Sequence, residues 1–177
     1  MELTTARLCL VALHESDAEA LFAYRSDPVV ARYQGWYPAT CEEALAFIRA
    51  QQQVSLDSRD SWLQRAIRRT TDDRLIGDVG LHIPADSGDS YEFGISIAPA
   101  CQSQGYSREA LCAWLGWVFG QLRAHRVHAS IDPRNLASVA LLRSLGMRQE
   151  AYFRESLRLH GEWVDEVIYA LLAREWR

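Results

Sequence analysis

At 177 residues the chain is long enough to close one sizeable core, and its 49% apolar and 24% charged residues are those of an ordinary globular domain. A formal net charge of -4 argues against a nucleic-acid partner, because gripping a phosphate backbone needs a basic surface. Cys9, Cys41, Cys101 and Cys112 form no C-x-x-C pair and no metal spacing, so reduced thiols are expected rather than a disulfide scaffold or a metal centre.

The first strand is expected over Arg7–Leu13. Ser16 and Glu19 have capping-box spacing and open a helix over Ala18–Arg25, which Asp27-Pro28 should stop. Residues 31–38 are rich in rings. Tyr33, Trp36 and Tyr37 either line a ligand pocket or cover the end of the core. Thr40 and Glu43 form a second capping box, predicting a helix over Cys41–Val54. Strands follow at Ser61–Arg69, Leu75–Ile83 and Tyr91–Ile97, with turns at 70–74 and 84–88. Leu111, Trp114, Leu115, Val118 and Phe119 recur at helical spacing and predict a buried helix over Arg108–Leu122. Arg126–Ile131 is a fifth strand, and Asn135 caps a helix through Leu145 with Gly146 at its C′ position. Ala151–Leu159 and Glu162–Leu171 close the chain as a hairpin with His160-Gly161 at its tip. The result is a single mixed α/β domain over 1–177. The opening residues lack the basic and apolar regions of a signal peptide, and no apolar run reaches the length of a membrane span. A cytoplasmic protein with no membrane partner is expected.

The chemistry concentrates in Ser90–Leu111, where a strand runs through a polar loop into a helix. Unpaired N–H groups converge at a helix N-terminus on the positive end of its dipole, which suits an anion. Gly105 lets the backbone approach, and Gln102, Ser103, Gln104 and Ser107 bring no opposing charge. A phosphate-bearing cofactor fits this loop; an ordinary strand-to-helix turn is the plain alternative. No G-x-x-x-x-G-K-[ST] or G-x-G-x-x-G is present, which excludes the Walker-type and dinucleotide loops.

Three motifs in order resemble the GNAT superfamily of acyl-CoA N-acyltransferases, in its RimJ/RimL-type branch. Gln102-Ser103-Gln104-Gly105-Tyr106-Ser107 matches the pyrophosphate loop Q/R-x-x-G-x-G/A, with Ser107 departing at the last position. Asn135-Leu136-Ala137-Ser138 and Leu145-Gly146-Met147 resemble the branch's N-x-x-S and L-G-F/M, and Gly161–Asp165 precedes Tyr169-Ala170-Leu171-Leu172. The resemblance covers nearly the whole chain. It implies a mixed, mostly antiparallel twisted sheet of about seven strands flanked by about four helices, with the fourth and fifth strands splayed. It also implies acetyl-CoA as acyl donor, its pyrophosphate on Gln102–Ser107 and its pantetheine arm along the backbone of Ile95 and Ile97. Asn135 and Ser138 would then line the arm and the thiol end, and a homodimer is common in the branch.

An alkyl amine with a pKa of about 10.4 is mostly protonated at neutral pH, so a base is required. Glu92, just before Gly94 on the fourth strand, is the first candidate, and an exposed strand carboxylate is the alternative reading. Alternation puts Glu92, Gly94 and Ser96 on one face of the strand. Ser138 is the candidate donor to the leaving thiolate, or a residue packed near a helix start. His82 is a reserve base on the acceptor side, or a surface histidine. The expected activity is acetyl transfer, without a metal, to a small-molecule amine or a protein N-terminus by direct attack in a ternary complex. A weakly catalytic acyl-CoA sensor of the same fold is the alternative.

Overall fold

A computed structural model describes residues 1–86 and 88–176; Ser87, within the turn expected over 84–88, and Arg177 lie outside the described residues. Strands β1 (Leu3–Thr4) and β2 (Leu8–Val11) lead into α1 (Ala18–Arg25), α2 (Pro28–Ala31) and α3 (Cys41–Gln51). Then come β3 (Ser61–Arg69), β4 (Leu75–Ile83), β5 (Ser90–Ile97), α4 (Tyr106–Gly120), β6 (Arg126–Ile131), α5 (Leu136–Ser144), β7 (Arg148–Leu159) and β8 (Glu162–Leu172).

The strands form one eight-stranded sheet in the order β1-β2-β3-β4-β5-β6-β8-β7. Every pairing is antiparallel except β5 with β6. That parallel pair is registered only from Ser90↔Arg126 to Glu92↔His128, after which the two strands part while each runs on. The expected splay is therefore present, and it lies between β5 and β6.

Apolar packing clamps the sheet from both sides. The fully buried Leu111, Trp114, Leu115 and Val118 of α4 meet Leu8, Leu10, Ile67, Val79 and Phe93 on one face. On the other face Leu21 and Tyr24 of α1 and Ala44 and Ile48 of α3 cover Ala66. Ala66 and Ile67 are adjacent on β3 and point to opposite faces, as strand geometry requires.

Several boundaries differ from the sequence reading for local reasons. Helix α1 ends at Arg25, as expected, but Asp27-Pro28 also starts a further helix, α2, that was not expected. The Asp27 carboxylate accepts from the Val29 N–H at 2.9 Å, and a proline at the first helical position loses no hydrogen bond. Ser16 does not cap α1; a short 3₁₀ turn over Glu15–Asp17 precedes it, and Asp17 accepts from the His14 N–H at 2.8 Å. Thr40 caps α3 as expected, accepting from the Glu43 N–H at 3.2 Å, but the helix ends at Gln51. Helix α4 begins two residues earlier than expected, directly after Gly105.

Candidate active site

The loop between β5 and α4 is braced by its own side chains. Gln102 Nε2 donates to the Ile97 carbonyl at 2.9 Å, and Gln104 Nε2 donates to the Ala100 carbonyl at 2.8 Å. Arg7 closes the outside, with Nη1 on the Gln104 carbonyl at 3.1 Å and Nε on Glu109 at 2.6 Å. Gly105 at φ 80° is the N-cap of α4, a left-handed position that glycine reaches without steric cost. No side chain caps this helix among the described residues, so its first-turn N–H groups face the groove in front of it.

That groove has a volume of about 410 Å³ and runs from Ser103, Gly105, Ser107 and Arg108 to Asn135 and Ser138. Two of the motif residues turn their side chains away from the groove. Gln104 turns back onto its own loop, and the Tyr106 ring is buried in the α4 core under Arg7, so neither side chain lines the groove. Gln102 lines it, but its amide is committed to Ile97. Main-chain N–H groups, Ser103, Ser107 and the exposed cation Arg108, which the sequence reading passed over, border the groove and have the chemistry that an anion needs.

The groove follows the open edge of β5. Ala98 N–H donates to the Ile76 carbonyl across β4 at 2.8 Å, so alternation turns the backbone groups of Ile95 and Ile97 toward the splay. Asn135 Oδ1 accepts from the Ser138 N–H at 3.1 Å, which caps α5 and holds Ser138 at the groove wall.

Around the end of the splay the groove joins a cavity on the sheet face. Trp62, His82, Glu92 and His128 are directly opposite one another across β3, β4, β5 and β6, so their side chains share a face. Glu92 and His128 line this cavity together with Ser138 and Glu166. Burial raises the Glu92 carboxyl above its ordinary value; nearby His82 pulls it down and Glu166 pushes it up. Burial, with help from Arg126, lowers His128, whose Nδ1 is buried without a partner. His82 does not line this cavity; its ring is beside Trp62 with Nε2 3.3 Å from the exposed Asp60. Ser130 Oγ donates to Glu166 at 2.5 Å, fixing that second carboxylate on the cavity wall.

The aromatic loop divides. Tyr33 borders both the groove and the sheet-face cavity. Trp36 stacks on Phe47, with ring centroids 4.5 Å apart, over an adjoining cavity floored by Gln64, Gly94 and Ser96. Tyr37 is 43% exposed, packs beside His160 and lines none of these cavities, so the structure gives it no place with the other two. Beneath the floor lies a network that sequence spacing does not reveal. Fully buried Asp78 accepts from Tyr24 Oη at 2.5 Å, from Arg25 Nε at 3.1 Å and from Gln64 Nε2 at 2.6 Å. Burial pulls the Arg25 guanidinium down, but Asp78 beside it prevails and holds it above its ordinary value.

The acetyltransferase (GNAT) domain profile matches residues 7–148. The chain belongs to the GNAT acetyltransferase family. It is similar to the N-acetyltransferase YnaD of Bacillus subtilis strain 168, 31% identical over 99% of both chains. It is also similar to the [ribosomal protein uS5]-alanine N-acetyltransferase of Escherichia coli K12, 26% identical over 99% of this chain and 93% of the relative. The crystal structure of a GNAT-family acetyltransferase from Bacillus anthracis superimposes with a TM-score of 0.88 at 27% identity, over 99% of this chain and 100% of that one. As a GNAT enzyme the chain is an acetyl-CoA-dependent N-acetyltransferase. The uncapped N-terminus of α4 beside Arg108 suits a pyrophosphate, and the unpaired edge at Ile95 suits an amide-bearing arm. No helix is long and apolar enough to cross a membrane, and no cluster of metal-ligating side chains is found among the described residues.

Proposed function

We propose that this GNAT enzyme deprotonates its acceptor amine through Glu92 and holds the donor between the α4 N-terminus and Ser138. One observation carries the reading: a single strand, β5, bears the raised carboxyl on its face and borders the donor groove with its open edge. When bound, acetyl-CoA supplies the thioester carbonyl that the amine nitrogen attacks; the N–C bond forms and the C–S bond breaks. Glu92 takes the proton from the amine, and its burial-raised affinity for that proton brings it nearer to an amine than an ordinary carboxylate. Ser138, at the junction of groove and cavity, donates toward the departing sulfur. The first-turn N–H groups of α4 and Arg108 hold the pyrophosphate. Holding both reactants on one strand supplies orientation as well.

The acceptor is a primary amine of a small molecule or of a peptide N-terminus. The likeness to a uS5-alanine acetyltransferase supports the peptide, and the ring-walled cavity under Trp36 supports a compact body. The four free thiols fit a reducing compartment such as the cytoplasm. Thiol release from acetyl-CoA, measured over a panel of small amines and short peptides, tests the reading. A protein that binds acetyl-CoA yet releases no thiol with any of them would refute the transferase role of Glu92.

A further inference from the structure

The cavity under Trp36 has a polar floor that the chain itself leaves incomplete. Gln64 is 9% exposed and Ser96 4%, and both line this space of about 470 Å³. The Gln64 amide has one admissible orientation. Asp78 only accepts, so the amide nitrogen must face it, at 2.6 Å. Gln64 Oε1 is thereby left buried with no hydrogen-bond partner. Ser96 Oγ, on the neighbouring row of the sheet, is also buried and unpartnered. Each unpaired buried group calls for an explanation, and two of them lining one cavity point to a ligand that completes both.

The surroundings restrict what that ligand can be. The rings of Trp36, Trp62 and Phe47 make the walls flat and apolar. Arg25 lines the cavity with Asp78 beneath it, and its guanidinium is held by that carboxylate through Nε and Nη2 and by Gln34 Oε1 through Nη1. A second ammonium would find no free counter-charge there, and a carboxylate would meet a carbonyl oxygen that cannot donate to it. A neutral N–H or O–H satisfies Gln64 Oε1, and the Ser96 hydroxyl can rotate to accept or to donate.

We propose that this cavity holds the body of the acceptor, and that Gln64 and Ser96 select a neutral hydrogen-bond donor carried on a flat apolar group. A hydroxyl, a carboxamide or a peptide N–H has this chemistry. The proposal rests on the reading that the acceptor's amine meets Glu92, since this cavity and the one beside Glu92 share Trp62, Gly94 and Ile95.

The test uses phenethylamine and its para-hydroxy, para-carboxamide, para-methoxy, para-carboxy and para-aminomethyl derivatives, with thiol release from acetyl-CoA as readout. The hydroxy and carboxamide compounds should exceed the plain and methoxy amines in kcat/KM by about tenfold or more, the usual penalty for an unmet buried partner. The charged derivatives should fall below the plain amine. Ser96→Ala and Gln64→Met should each pull the hydroxy-to-plain ratio toward one; reading a ratio cancels any general loss of activity. Equal kcat/KM across the neutral series overturns the proposal, as does a ratio untouched by both substitutions. Calorimetric titration of the same series into the protein saturated with coenzyme A separates the two readings. Preference in binding without thiol release would keep the subsite and refute the role of Glu92. Turnover without preference would do the reverse.

Discussion

Gln102 and Ile97 are joined by a 2.9 Å hydrogen bond from the side-chain amide to the main-chain carbonyl, so the loop before α4 is latched to the open edge of β5. The bond takes up one edge carbonyl and leaves Ile95 as the freer backbone for an amide-bearing arm. Gln102→Ala removes the latch. It should raise the KM for acetyl-CoA about fivefold more than the KM for the acceptor, the worth of one ordinary hydrogen bond. Initial-rate kinetics with each substrate varied in turn will show the split.

Glu92→Gln should lower kcat by about one to three orders of magnitude, within the range of general-base catalysis. Coenzyme A binding, followed by calorimetry, should fall far less than turnover. Comparable losses in both would assign Glu92 to donor binding.

The same substitution has an opposite effect on stability. Burial raises the folded-state value of Glu92 above its ordinary 4.5, so the folded chain holds that proton more tightly than the unfolded chain. Above the folded value Glu92 is ionised at a cost to folding; that cost disappears as pH falls through the folded value toward the unfolded one. Glu92→Gln should therefore melt at a higher Tm than the parent at pH 7, with the gap closing toward pH 4. In the active enzyme kcat/KM should rise with pH through an ionisation above 4.5, and Glu92→Gln should lack that limb.

Asp78→Ala leaves the buried Arg25 guanidinium without its carboxylate. Breaking a buried pair from one side costs about 3–5 kcal/mol, and urea unfolding should record a loss of that size. Asp78→Asn, which keeps an acceptor in place, should lose less.

Arg108→Ala should weaken coenzyme A binding about tenfold, as expected for a charge-assisted contact with a phosphate, and should flatten its salt dependence. Titrations at low and high ionic strength will measure both effects.

What the sequence disclosed was what local chemistry controls. Helix α4 was legible because Leu111, Trp114, Leu115 and Val118 repeat at helical spacing, and the loop before it because Gly105 sits where a helix can begin. Helix α2 was missed because Asp27-Pro28 is equally a stop and a start, and only the cap bond to Val29 decides between them. Trp62 and Gln64 escaped notice because they join Glu92 and Gly94 through strand register, which no spacing along the chain encodes. Gln104 and Tyr106 were placed correctly as motif letters, but the fold spends their side chains on the loop and the core.

Gly80 and Gly94 lie side by side on β4 and β5 beneath Trp62. A methyl group at Gly80 would sit 2.0 Å from Gln64 Oε1 and 3.0 Å from the Trp62 ring. At Gly80, therefore, the floor of the cavity under Trp36 accepts no side chain unless Gln64 moves. An enzyme built this way changes its clientele most readily through the overhanging segment around Tyr33 and Trp36, whose rings border the cavities from above and do not share the glycine-floored sheet. Variants drawn from that segment are where new acceptor preferences should be sought.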